Sequence, residues 1–100
     1  MKRILLCCAA GMSTSLLVNK MKAAAQERGL EVEIWAEPLE KVKQEIENAD
    51  ILLLGPQVKY AFEDLKPICA QNNIPLEVIN MIDYGMMNGP KILDQALNLI

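Results

Sequence analysis

One hundred residues with a formal net charge of −3 and a pI near 4.9 argue against a nucleic-acid partner, since phosphate backbones call for a basic face. Hydrophobic residues make up 52% of the chain and charged residues 23%, which excludes disorder and fits a single domain over residues 1–100. Only 4% is aromatic, so the core has to be built from Leu, Ile, Val, Ala and Met.

The chain opens on Lys2–Cys8, a near-continuous apolar run with the signature of a strand buried on both faces. Met1-Lys2-Arg3 ahead of that run can also be read as a short signal peptide. Against this, the run reaches a Gly-Met-Ser-Thr-Ser turn and continues into a patterned helix, and cleavage near Ala10 would remove the first strand. No stretch approaches the roughly 20 apolar residues of a membrane span. The expectation is a soluble, cytoplasmic protein that does not itself span the membrane, and the Met1 start favours a free-standing subunit.

Ser13 or Thr14 can cap a helix running to about Arg28, with Leu17, Met21, Ala24, Ala25 and Arg28 at helical spacing. Gly29 ends it, as glycine past a C-terminus often does. Glu31–Ala36 alternates as a strand, Val32, Ile34 and Ala36 one way and Glu31, Glu33 and Trp35 the other, and its polarity marks an edge. Pro38 suits the first turn of a second helix with Leu39, Val42 and Ile46 on its buried stripe. The charges from Glu40 to Glu47 form a solvated face, supported by pairs such as Glu37 with Lys41.

A third strand, Asp50–Leu54, is apolar after its first residue. Gly55-Pro56-Gln57 turns into a third helix with Val58, Ala61, Phe62, Leu65 and Cys69 inward. Leu76–Ile79 is a short fourth strand, Asn80–Asn88 a longer loop, and Asn88-Gly89-Pro90 the start of a last helix with Ile92, Leu93, Ala96, Leu97 and Ile100 inward. Strands separated by helices of this length imply parallel pairing with right-handed crossovers. With the two most apolar strands central, the order is 2-1-3-4: an α/β, flavodoxin-like four-stranded sheet with helices on both faces. Ligands bind such sheets beyond the C-terminal strand ends, where the winding reverses. The loop beginning at Cys8 lies there.

In Cys8-Ala9-Ala10-Gly11-Met12-Ser13-Thr14-Ser15, small residues and Gly11 let successive N–H groups converge on one point. The helix start adds unpaired donors and the positive end of its dipole, and the three hydroxyls can donate as well. An anion of phosphate size can be held beside the sulfur without a basic side chain. The same donors favour thiolate over thiol at Cys8. Cys7, Cys8 and Cys69 form no metal spacing, the chain has no histidine, and no cofactor is called for. Cys7 and Cys8 point to opposite faces of their strand, which disfavours a bridge between them. The bland alternative for Cys8 is a buried structural cysteine at an ordinary strand-to-helix turn.

The spacing Cys-x5-Thr-Ser resembles the Cys-x5-Arg-Ser/Thr loop of low-molecular-weight protein tyrosine phosphatases, with Thr14 where those enzymes place arginine. Without that bidentate group, hydrolysis is expected to be slow and a phosphocysteine to persist. The run Cys8 to Val18 (Cys-Ala-Ala-Gly-Met-Ser-Thr-Ser-Leu-Leu-Val) further resembles the phosphorylation loop of lactose/cellobiose-type IIB components of bacterial sugar phosphotransferase systems. The likeness continues at Leu53-Leu54-Gly55-Pro56-Gln57 and from Val78-Ile79 to Asp83-Tyr84-Gly85. It implies a phosphocysteine at Cys8, held by Ala9 through Ser15. It further implies a IIA phosphohistidine protein as donor and a sugar bound by a membrane IIC permease as acceptor.

Gln57, which follows strand three beside the loop, can touch the phosphoryl group or be a turn residue. Asp83 and Tyr84 can line the same mouth or sit in an exposed loop. Met12, Met81, Met86 and Met87 as a group suit a mouth that docks two partners in turn, though for Met81 taken singly the nearer reading is gap-filling in the core, and Cys69 is read as packing. Three rivals stand beside the carrier reading: a phosphatase or arsenate-reductase-like enzyme on the same loop, a thiol redox module, and a non-catalytic interaction domain.

Overall fold

The computed structural model describes residues 1–8 and 12–100, with residues 12–14 described in backbone alone. Four strands, β1 (Lys2–Cys8), β2 (Val32–Pro38), β3 (Ile51–Leu54) and β4 (Leu76–Val78), form one sheet in the order β2-β1-β3-β4. Every pairing is parallel, which is the flavodoxin-like arrangement expected from the alternation of strands and helices. Between the strands run α1 (Met12–Glu27), α2 (Leu39–Glu45), α3 (Phe62–Gln71), α4 (Met81–Gly85) and α5 (Gly89–Leu97), with single 3₁₀ segments at Ile46–Asn48 and Pro56–Ala61.

The pleat of the central strands divides the core in two. Ile4, Leu6 and Cys8 of β1 and Ile51 and Leu53 of β3 pack with Leu17, Met21, Ile92, Leu93 and Ala96 of α1 and α5. Leu5, Cys7, Leu52 and Leu54 face the other way, onto Val42, Ile46, Leu65 and Cys69. Edge strand β2 follows the same alternation, Ile34 joining the first layer and Trp35 the second. A strand with an apolar residue at every position has to be covered on both faces, and that requirement places helices on both sides.

The structure departs from the sequence reading in several places: β2 and β3 each start one residue later than expected, at Val32 and Ile51, and Met81 is exposed on α4 rather than filling the core. Strand β2 runs on to Pro38 because β1 continues to Cys8 and pairs with it there. An edge-strand end tolerates the missing N–H of proline. Pro38 is therefore the residue before α2, with ψ 160°, rather than part of its first turn. β4 stops at Val78, although the Ile79 N–H still donates to the Leu54 carbonyl at 2.8 Å. Helix α1 begins at Met12, so Ser13 and Thr14 lie inside the first turn and neither is its cap. The expected loop over 80–88 contains helix α4, started by the Asn80 side chain, which accepts from the N–H groups of Ile82 (3.0 Å) and Asp83 (3.1 Å). This helix buries Tyr84 alone, so no apolar period marks it in the sequence.

Three helices end the same way. After α1 the Leu30 N–H reaches the Ala25 carbonyl at 2.9 Å, with Gly29 at φ +67°. After α3 Ile74 reaches Cys69 at 3.0 Å, with Asn73 at φ 58°. After α4 Asn88 reaches Asp83 at 2.8 Å, with Met87 at φ 52°. Glycine and asparagine are common in that left-handed position and methionine is not. Met87 is held there with its side chain packed on the α1–α5 layer.

Two expectations follow. A Cβ on Gly89 would lie 2.7 Å from the Lys20 carbonyl carbon and 2.8 Å from its oxygen, so α5 starts directly against the backbone of α1. Gly89→Ala has to push two helices apart and is expected to cost about 1–3 kcal/mol, read as a lower urea midpoint with an unchanged slope. The Cys7 thiol is fully buried, and burial first, then Cys8 and Glu40 beside it, push its pKa from 9.0 up to about 12. Below pH 9 both the folded and unfolded chains keep this proton. Between pH 9 and about 12 the unfolded chain releases it while the native state retains it, so stability falls as pH rises. Burial raises Cys69 in the same direction. Denaturation at pH 8 and pH 10.5 is expected to show a smaller loss of stability for Cys7→Val than for the native chain.

Candidate functional site

β1 ends at Cys8 and α1 begins four residues later, so the sulfur-bearing end of a central strand and the start of a 16-residue helix are separated by three residues. The pleat turns Cys8 toward the α1–α5 layer, 2% exposed, and Cys7 into the opposite layer. A buried thiol with its pKa near 12 is a poor nucleophile near neutral pH. The two cysteines therefore differ in environment despite being neighbours in the chain.

Strand β3 brings Gly55 alongside. Its N–H donates to the Cys7 carbonyl at 2.8 Å, which continues the β1–β3 ladder one residue past the strand. At this position a side chain has no room: a Cβ would lie 3.0 Å from Cys8 Sγ and 2.8 Å from Gln57 Oε1. The Gln57 amide oxygen and the Cys8 sulfur thus both lie against the position that a Gly55 side chain would take. On its other side, Gln57 Nε2 donates to Tyr84 Oη at 2.9 Å. Tyr84 is buried in the same apolar layer as Cys8, carried there by α4.

Of the residues singled out in the sequence, Cys8, Gln57 and Tyr84 are brought together. Asp83 is not part of this group; it lines a groove with Val78, Asn80, Lys91, Asp94, Gln95 and Asn98 on the α5 side of α4. Ser15 is exposed in the first turn of α1 and borders a groove against Ile34, Trp35 and Ala36 of β2. Ala9, Ala10 and Gly11 lie outside the described residues, as do the side chains of Met12, Ser13 and Thr14. Gly55 is the neighbour that sequence reasoning did not single out. Its signal was a Gly-Pro step directly after the strand that pairs with β1, read there as a turn and as part of the resembling stretch Leu53 to Gln57, with no role of its own. A larger groove of about 630 Å³ lies between α1 and the start of β2, lined by Met1, Leu30, Val32 and Trp35 among others, and does not include Cys8.

Comparison with known proteins bears on the whole chain. The oligo-β-mannoside-specific EIIB component of Bacillus subtilis (strain 168) is 50% identical over 100 residues, spanning 100% of this chain and 97% of that protein. The cellobiose-specific EIIB component of Lactococcus lactis subsp. lactis (strain IL1403) is 43% identical over 104 residues, spanning 99% and 96%. The solution structure of a cellobiose-specific phosphotransferase IIB component from Borrelia burgdorferi superposes with a TM-score of 0.81 at 39% identity, covering 98% of this chain and 90% of that one. The lactose-specific IIB domain from Streptococcus pneumoniae reaches a TM-score of 0.88 at 18% identity, covering 98% and 96%, a likeness of fold. The family model described as "PTS system, Lactose/Cellobiose specific IIB subunit" matches residues 3–95. The chain therefore belongs to the lactose/cellobiose-specific IIB family, whose members are phosphotransferases of the sugar phosphotransferase system.

Proposed function

We propose that Cys8 is the phosphoryl-accepting residue of this IIB subunit. A phosphohistidine on a IIA protein is the donor, and a sugar bound by the membrane component IIC is the final acceptor. The observation that carries this reading is the position of Cys8. It ends a central parallel strand where the winding of the sheet reverses, with Gly55 and the Gln57 amide packed beside its sulfur.

Two in-line displacements at phosphorus make up the reaction. The Cys8 thiolate attacks the phosphorus of the phosphohistidine; an S–P bond forms and the N–P bond breaks, its electron pair returning to the imidazole nitrogen. A sugar hydroxyl oxygen then attacks the same phosphorus. An O–P bond forms, the S–P bond breaks, and its electron pair returns to Sγ, while a base on the acceptor side takes the hydroxyl proton. Backbone N–H groups of residues 9–15 hold the three non-reacting oxygens. Cys7 takes no part, because its thiol stays protonated in the opposite layer of the core. Thr14 stands where the related phosphatase loop has arginine, which favours retention of the phosphoryl group over its loss to water.

Transfer between a cytoplasmic donor and a permease places the subunit in the cytoplasm, and no helix among the described residues is long and apolar enough to cross a membrane. The sugar is set mainly by IIC and is a β-linked disaccharide such as cellobiose, lactose or chitobiose. Relatives of 43–50% identity carry oligo-β-mannoside, galactose and cellobiose in their names.

Intact-mass spectrometry after incubation with a phosphorylated IIA donor tests the site. One added phosphoryl group is expected on the native chain and on Cys7→Ser, and none on Cys8→Ser. A phosphoryl adduct that persists on Cys8→Ser would move the site elsewhere.

A further inference from the structure

The geometry points to Gln57 as a residue that contacts the phosphoryl group on Cys8 through its amide N–H, with Tyr84 as the positioning residue that lets this amide turn over as the charge on the sulfur changes. This rests on the phosphocysteine reading above.

In the arrangement in hand, the oxygen of the Gln57 amide is the end nearer Gly55 and the sulfur, and the nitrogen is the end on Tyr84. Gln57 Oε1 and Cys8 Sγ both border the Cβ position of Gly55, and an amide oxygen beside a sulfur suits an S–H, which can donate, better than an anion. The opposite end of the amide is held by Tyr84, whose hydroxyl accepts from Nε2 at 2.9 Å. A thiolate or a phosphorylated sulfur changes the requirement, because an oxygen lone pair then faces an anion at close range. Rotation about the last side-chain bond of Gln57 exchanges Oε1 and Nε2, and that torsion is broad and soft. After the exchange Nε2–H points at the anion.

Tyr84 makes the exchange possible without loss of a partner. A hydroxyl both accepts and donates, so Tyr84 Oη can accept from Nε2 in one orientation and donate to Oε1 in the other. The tyrosine ring is fixed in the α1–α5 layer, 8% exposed, while Gln57 itself stands at the surface. A rigid anchor and a free amide are the parts such a relay needs. Gly55 is the third part, since a Cβ there would crowd both the amide and the sulfur. Helix α4 enters the site through this contact, which gives the short helix between β4 and α5 a role beyond linking them.

The equilibrium between phosphorylated IIA donor and this chain tests the relay, measured as the fraction of Cys8 phosphorylated for the native chain, Gln57→Glu, Gln57→Ala, Tyr84→Phe and Gln57→Ala/Tyr84→Phe. A charge-assisted hydrogen bond is about twice as strong as a neutral one. Gln57→Glu is therefore expected to lower the phosphorylated-to-free ratio about ten-fold or more, and Tyr84→Phe several-fold. Tyr84→Phe placed on Gln57→Ala is expected to add less than about two-fold, because without the amide the hydroxyl has nothing to position. The Gln57 side-chain amide resonances are expected to move on phosphorylation of the native chain. Gln57 is exposed, so its variants leave the core intact, and circular dichroism checks Tyr84→Phe. A Gln57→Glu ratio within two-fold of native overturns the contact. An equal effect of Tyr84→Phe with and without Gln57 overturns the positioning role. A native chain that takes up no phosphoryl group at all overturns the underlying reading as well.

Discussion

Parallel pairing of β1 on both sides is the constraint from which the rest follows. Cys7 pairs with Glu37 on one side and Leu54 on the other, and Cys8 still pairs with Pro38. A strand held in this way cannot slip by a residue without turning its whole apolar set inside out. The pleat then separates two adjacent thiols into two different layers. Cys7 lies under α2 and α3, where burial keeps it protonated, and Cys8 lies at the strand end beside Gly55. A single register thus decides which sulfur faces the loop and which is core.

The elements around Cys8 are held by close contacts that need small or unusual residues. Gly89 lets α5 start against the backbone of Lys20, and the turn before it is closed by Met87 in a left-handed conformation. Those two features fix where α4 ends, and α4 is what carries Tyr84 into the layer shared with Cys8. Gly55 lets Gln57 and the sulfur approach each other. The polar contact between Gln57 and Tyr84 is therefore a product of backbone placement on the 3₁₀ segment after β3 and on α4, two elements separated in sequence by α3 and β4.

Much of this was legible in the chain. The apolar runs of β1 and β3, the glycine after α1 and the helical spacing of Leu17, Met21, Ala24 and Ala25 are strong periodic or turn signals, and they yield the sheet order. The opposite orientations of Cys7 and Cys8 follow from period two alone. Helix α4 was not legible, because five residues with one buried side chain leave no period, and Met87 offers no glycine or asparagine signal for its left-handed turn. Gln57 and Tyr84 could be named as candidates, but not as partners: their meeting depends on the path from β4 into α4, which the sequence suggested was a loop. Asp83, one residue from Tyr84, turns instead to the α5 groove, a difference that helical geometry imposes and a loop would not.

The central claim is that the phosphoryl group rests on Cys8 as a true intermediate between two partners. The most direct measurement isolates the chain carrying a labelled phosphoryl group, mixes it with membranes containing the cognate IIC and a β-linked disaccharide, and follows the label. The account predicts that the label passes to the sugar within the time of one turnover and is stable when sugar or IIC is omitted. Label released as free phosphate at the same rate with or without the sugar would contradict it.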